Sequence, residues 1–142
     1  MTILILHGPN LNLLGLKASK LKKRLTLDKV NRAIRKHVRD KGITVKIIQT
    51  HKEYLAINFI QRNKNSADGL VIIPTSWAKY NQTIFETINI TELETAAVYF
   101  DESYSLGTNQ EDSILVSNKI KPFSGEPLKA IVSAIDHLAN KK

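Results

Sequence analysis

Short apolar runs alternate with longer stretches of helical periodicity along the chain. Thr2–His7 (TILILH) is β-branched and Leu-rich with nothing polar inside it, which predicts a strand buried on both faces. A loop over Gly8–Arg24 follows. Thr26 then reads as the N-cap of a helix from Leu27 to about Lys41, with Val30, Ile34 and Val38 four apart on one face and Gly42 as its stop. Thr44–Gln49 (TVKIIQ) is the second predicted strand. A helix over roughly Glu53–Asn65 should turn Leu55, Phe59 and Ile60 inward. Asp68-Gly69 makes a turn into a third strand, Leu70–Ile73. A short helix over Asn81–Asn89 leads to a fourth strand, Ala96–Phe100. The polar run Asp101–Asp112 reads as a loop, and Ser113–Val116 as a weaker fifth strand. Pro127 fits the first turn of a final helix in which Leu128, Ile131, Val132, Ile135 and Leu138 share a face.

Strands separated by helices imply right-handed βαβ units in a doubly wound, five-stranded parallel sheet, expected as a single domain over residues 1–142. Ligands of such sheets sit at the carboxyl ends of the strands, beside a reversal of strand order. Function should therefore lie in the loops after His7, Gln49, Ile73 and Phe100.

Charge modifies this picture. Of the 21 Lys and Arg, 15 precede residue 66, against three of the 13 Asp and Glu, so the formal net charge of +8 is concentrated in the first half. A basic half favours anionic partners. The absence of Cys removes disulfides, thiolate nucleophiles and cysteine-ligated metals. No apolar run approaches the ~20 residues of a membrane span, and no signal-peptide pattern opens the chain, so a cytoplasmic location is expected.

In the first loop, Gly8-Pro9-Asn10 turns sharply off a buried strand. Asn10 there offers a donor and an acceptor suited to a water or a carbonyl oxygen, or else, with Asn12, satisfies the loop's own backbone. Neither G-x-G-x-x-G nor G-K-[ST] is present, so the loop is not a dinucleotide or nucleotide cradle. The four histidines show no metal-ligand spacing, and no metal or cofactor is expected; His7, at a strand's carboxyl end, is the one placed to touch a ligand. The run Lys17–Arg24 (KASKLKKR) is strongly basic but has no interleaved aromatics, which makes nucleic acid a less favoured partner. Trp77 and Tyr80 are placed to line the same crevice or a subunit contact.

The stretch LILHGPNLNLLG resembles the opening of the type II 3-dehydroquinate dehydratases, and LTLDKVN at Leu25–Asn31, IIQTHKE at Ile47–Glu53 and ADGLVIIP at Ala67–Pro74 extend the resemblance. It implies a flavodoxin-like fold and a homo-oligomer, trimeric or dodecameric. The implied reaction is the dehydration of 3-dehydroquinate through an enolate, without metal or Schiff base. A lid tyrosine beside an arginine removes the proton, an asparagine holds a water against the oxyanion, and a histidine backed by a glutamate protonates the leaving hydroxyl.

Carried over residue by residue, Asn10 matches the water-holding asparagine. Lys17 stands at the lid arginine and Lys22 at the tyrosine. Ile73 replaces a substrate-binding asparagine and Lys79 a histidine, while Glu86 replaces an aspartate presented across a subunit contact. Tyr99 stands at the general acid and Ala97 at its supporting glutamate. Asp101 and Glu102 replace a Ser-Asn pair that holds the substrate carboxylate, and Leu106 and Gln110 fall on later arginines. The candidate catalytic residues are therefore Asn10, Lys22 as a base if neighbouring cations lower its pKa, and Tyr99 as an acid; His7, Lys17 and Lys79 are the candidate substrate contacts, for an anionic, quinate-like ligand. Loss of a general acid or base costs roughly 10²–10⁴-fold, so reduced or absent dehydratase activity is expected. The alternative is a non-catalytic homologue that binds an anionic small molecule or a protein partner.

Overall fold

Strand β1 (Thr2–His7) is an interior strand of the sheet, as its uninterrupted apolar sequence requires. Residues Ile3–Leu6 have no exposed surface, and β1 pairs in parallel with β2 (Thr44–Gln49) on one side and β3 (Gly69–Ile73) on the other. The computed structural model describes residues 1–19 and 24–141. Strands β4 (Thr95–Phe100) and β5 (Ile120–Gly125) complete an all-parallel, flavodoxin-like sheet in the order β2-β1-β3-β4-β5.

Helices cover both faces. A 3₁₀ turn (Leu11–Leu13) and a single turn α1 (Leu14–Lys17) follow β1 and pack beside α2 (Leu27–Val38) and α6 (Pro127–Asn140). The other face carries α3 (Glu53–Asn63), the short α4 (Trp77–Tyr80) and α5 (Gln82–Thr91). Alternation along the strands divides the core: Ile3 and Ile5 point towards α2 and α6, Leu4 and Leu6 towards α3 and α5. No described helix is long and apolar enough to cross a membrane.

Three details differ from the sequence pattern. Helix α2 stops at Val38, and the chain turns before Gly42, whose φ of +68° is the left-handed conformation that glycine adopts freely. In α3 the inward positions are Ala56 and Ile60, leaving Leu55 41% exposed. The fifth strand is Ile120–Gly125, not Ser113–Val116. The earlier segment is a strap, with the Ile114 amide donating to the Ala78 carbonyl at 2.8 Å and Val116 72% exposed. The true β5 contains Pro122 and buries only Ile120, a composition that an edge strand tolerates because among the described residues no further strand runs along its outer side.

Candidate functional site

The strand order reverses between β1 and β3, and the loops that leave these strands meet at Thr75. Its hydroxyl donates to the Pro9 carbonyl at 2.8 Å, joining the loop after β3 to the loop after β1. The Thr108 amide donates to the Thr75 carbonyl at 3.2 Å and brings the loop after β4 onto the same point. Gly107 makes this approach possible: a Cβ on it would lie 2.3 Å from the Ser76 nitrogen, and its φ is +75°. Thr75 is buried and has a φ of 50°, a strained value for a β-branched residue that the interloop contacts hold in place.

The result is a filled crevice. Between the ends of β3 and β4, Ile73, Thr75, Tyr99, Leu106 and Thr108 enclose a cavity of about 10 Å³, space for about one water. Tyr99 is 5% exposed, and its hydroxyl donates to Ser113 Oγ at 2.7 Å. Burial pushes the phenol's pKa above its ordinary value, with the Ser113 hydrogen bond opposing. Both effects of this setting, engagement of the proton and a raised pKa, disfavour proton donation at neutral pH.

The other expected site residues are dispersed. Asn10 is exposed with a φ of 71°, and its side chain makes no capping hydrogen bond to the 3₁₀ turn that follows. Lys17 is exposed at the end of α1. Lys79 is exposed, with its ammonium 5.5 Å from the ring centre of Tyr80. Trp77 is buried among the α3–α5 side chains, whereas Tyr80 is 79% exposed. Lys22 lies outside the described residues. His7 is wholly enclosed rather than open to the crevice; its Nε2 donates to Asn31 Oδ1 at 2.8 Å, and Nδ1 has no hydrogen-bond partner among the described residues. Burial lowers its pKa to about 4, so the imidazole is neutral at pH 7.

Two larger cavities flank the filled one. Over the ends of β4 and β5, a cavity of about 500 Å³ is lined by Tyr99, Asp101, Ser105, Asn109, Glu111 and Ser124 among others, with two carboxylates and no cation among the described residues. Between the starts of α2 and α6 lies one of about 680 Å³, with Arg24, Lys29 and Lys129 at its wall. Among the described residues no three His, Asp or Glu side chains come together in a form that could hold a metal ion. The sequence pattern did not single out Thr75, Gly107 or Thr108. Gly107 within a polar run was the one available signal, and it indicated a turn without showing what the turn covers.

Comparison with known proteins agrees with this architecture. The family model for dehydroquinase class II matches residues 1–139. A 3-dehydroquinate dehydratase of Trichodesmium erythraeum is 27% identical over 98% of this chain and 95% of its own length, and one of Roseiflexus castenholzii is 25% identical over 97% and 88%. The type II dehydroquinase of Butyrivibrio crossotus superposes with a TM-score of 0.83 at 26% identity, covering 98% of this chain and 97% of its own. A 3-dehydroquinate dehydratase-like protein of Bifidobacterium longum shares the fold at a TM-score of 0.68 and 14% identity, covering 99% and 96%. A family model that spans nearly every residue, on a sheet of the same design, places this chain in the class II dehydroquinase family.

Proposed function

We propose that this chain is a type II dehydroquinase-like protein in which dehydration of 3-dehydroquinate to 3-dehydroshikimate is strongly reduced or lost. The observation that carries this reading is the closed space between β3 and β4, where Ile73, Tyr99 and Leu106 leave about 10 Å³. A six-membered-ring carboxylate cannot enter a volume that fits one water, and the adjoining cavity of about 500 Å³, which has the room, meets it with Asp101 and Glu111. The chemistry points the same way. Proton transfer at both ends of the elimination needs a base and an acid with pKa values near neutrality. Tyr99 has its proton committed to Ser113 and its pKa raised, and Asp101 adds a negative charge where the substrate carboxylate would be held. The same reading takes the protein as a cytoplasmic homo-oligomer, trimeric or dodecameric, with no cofactor, no membrane or nucleic-acid partner, and an anionic small molecule as its ligand.

The test is to incubate pure protein with 3-dehydroquinate and follow the ultraviolet absorbance of the conjugated enone, with the Trichodesmium relative assayed in parallel. Turnover at least about 10⁴-fold below the relative is expected from the combined loss of acid and base. Turnover within tenfold of the relative, abolished by Lys22→Ala, would overturn the reading and identify Lys22 as the base.

A further inference from the structure

The larger of the flanking cavities lies at the same end of the sheet as the crevice but shares no lining residue with it. Its walls come from the first turns of α2 and α6, two neighbouring helices on one face of the sheet. The floor is apolar: Leu25 is buried, and Leu128 and Tyr104 are partly buried against the same core. Arg24, Lys29 and Lys129 supply three positive charges around it.

The placement of these cations has no account in helix stability. Lys29 and Lys129 each stand in the first turn of a helix, at the positive end of its dipole, where a cation is unfavourable. Nor are the charges neutralised. Among the described residues no carboxylate forms an ion pair with Arg24, Lys29 or Lys129. Glu126 lies at the same wall, but its two oxygens accept from the Leu128 and Lys129 amides at 3.3 and 3.0 Å and are occupied in capping α6. Lys29 is held in position, its ammonium donating to the Arg24 carbonyl at 3.1 Å, which leaves two of its N–H groups for another partner. An anion in the cavity would meet three cations against the single Glu126 carboxylate that caps α6, a local excess of positive charge, while its body covered the leucines and the tyrosine. A volume of about 680 Å³ lies in the range of small-molecule sites.

We propose that this cavity binds a small organic anion with an apolar body, its acidic group among Arg24, Lys29 and Lys129 and its hydrocarbon against Leu25, Tyr104 and Leu128. The site is separate from the crevice between β3 and β4. The dehydration assay and the titration below therefore fail independently.

The probe is 1-anilinonaphthalene-8-sulfonate, an aromatic body with one sulfonate, titrated into the folded protein by fluorescence. Saturable binding at one site is expected, weakening as salt rises because exposed cations are screened. The variant Lys29→Glu/Lys129→Glu should lose at least tenfold in affinity. Its melting temperature should be unchanged or higher, since acidic residues suit the first turn of a helix, so a folding defect would not mimic the result. Absence of saturable binding to the natural sequence overturns the proposal, as does equal affinity in the variant. Equal binding of the neutral N-phenyl-1-naphthylamine by both proteins would also overturn it, because the apolar floor alone would then account for the probe.

Discussion

Two regions at the same end of the sheet have opposite character. Between β3 and β4, three loops are laced together through Thr75, and apolar side chains leave about 10 Å³. Between α2 and α6, a cavity of about 680 Å³ stands open with three cations at its wall. The framework beneath both is the one its class II dehydroquinase relatives share. The difference teaches that the sheet and its helices fix where loops leave the core, whereas the side chains of those loops decide whether any space remains. It also divides the charge: the cavity between α2 and α6 carries Arg24, Lys29 and Lys129 against Glu126, while the cavity over β4 and β5 is lined by Asp101 and Glu111.

The strongest way to break the comparison is Gly107→Ala. The new Cβ would sit 2.3 Å from the Ser76 nitrogen and 2.4 Å from the Thr75 carbonyl carbon, both backbone atoms, in a conformation that already disfavours a side chain. A loss of about 3 kcal/mol is expected, read by chemical denaturation. The loop should lift, and cleavage by a glutamyl endopeptidase at Glu111 should accelerate. An unchanged midpoint would mean that the loop packs elsewhere in solution.

Acid tests the seam between the two regions, where His7 on β1 is tied to Asn31 on α2. The folded pKa is about 4 against 6.5 for the free side chain, with desolvation as the main cause and the Asn31 bond opposing it. Between these values the unfolded chain binds a proton that the folded chain refuses, so stability is full above about pH 6.5 and falls as pH drops towards 4. The loss approaches about 3 kcal/mol. Glu94, whose pKa is lowered first by its bond to Lys141, and His137, lowered first by desolvation, act in the same direction. Denaturation midpoints for the natural sequence and His7→Asn, at pH 7 and pH 4.5, separate them: the variant should show the smaller difference. A natural protein equally stable at both pH values would remove His7 from the seam.

The framework was legible in the sequence for a physical reason. A strand covered on both faces must be apolar throughout, and β1, β3 and β4 are. The amphipathic spacing of Val30, Ile34 and Val38 needed no tertiary information. The edge was less legible: β5 satisfies half its surface with solvent, so IKPFSG carries a proline and little periodicity, and the more apolar Ser113–Val116 drew the assignment instead. The crevice was not legible as a space at all. Leu106 is one apolar residue in a polar run, and its role follows from a contact between loops some thirty residues apart, which local pattern does not encode. Asn10 was legible as an amide on a sharp turn and Tyr99 was named from resemblance; only the fold shows that Tyr99 is enclosed and bonded to Ser113.

Leu106→Ala separates space from chemistry in the crevice. Leu106 is partly buried against the core, so truncation should cost about 2 kcal/mol, at the lower end of the range for buried leucines. The enlarged cavity should still give no enone, because Ile73, Ala97 and Tyr99 remain. Appearance of the product would show that the loop alone closes the site and that the remaining side chains suffice for catalysis.

Thr75 offers the smallest and most discriminating change. Replacing it with glycine removes the side chain from a φ of 50° and relieves roughly 1–2 kcal/mol of backbone strain. Against this stand the lost bond to the Pro9 carbonyl, worth about 1 kcal/mol, and the greater freedom of glycine in the unfolded chain, roughly 0.5–1 kcal/mol. The opposing effects leave Thr75→Gly within about 1 kcal/mol of the natural protein. Thr75→Val keeps the strain and loses only the bond, so it should be less stable than the glycine variant. Paired urea titrations with a common slope decide the order. If valine matched threonine, the hydroxyl bridge to Pro9 would contribute nothing, and the crevice would be held shut by the backbone bond from Thr108 and the fit of Gly107 against Ser76 alone.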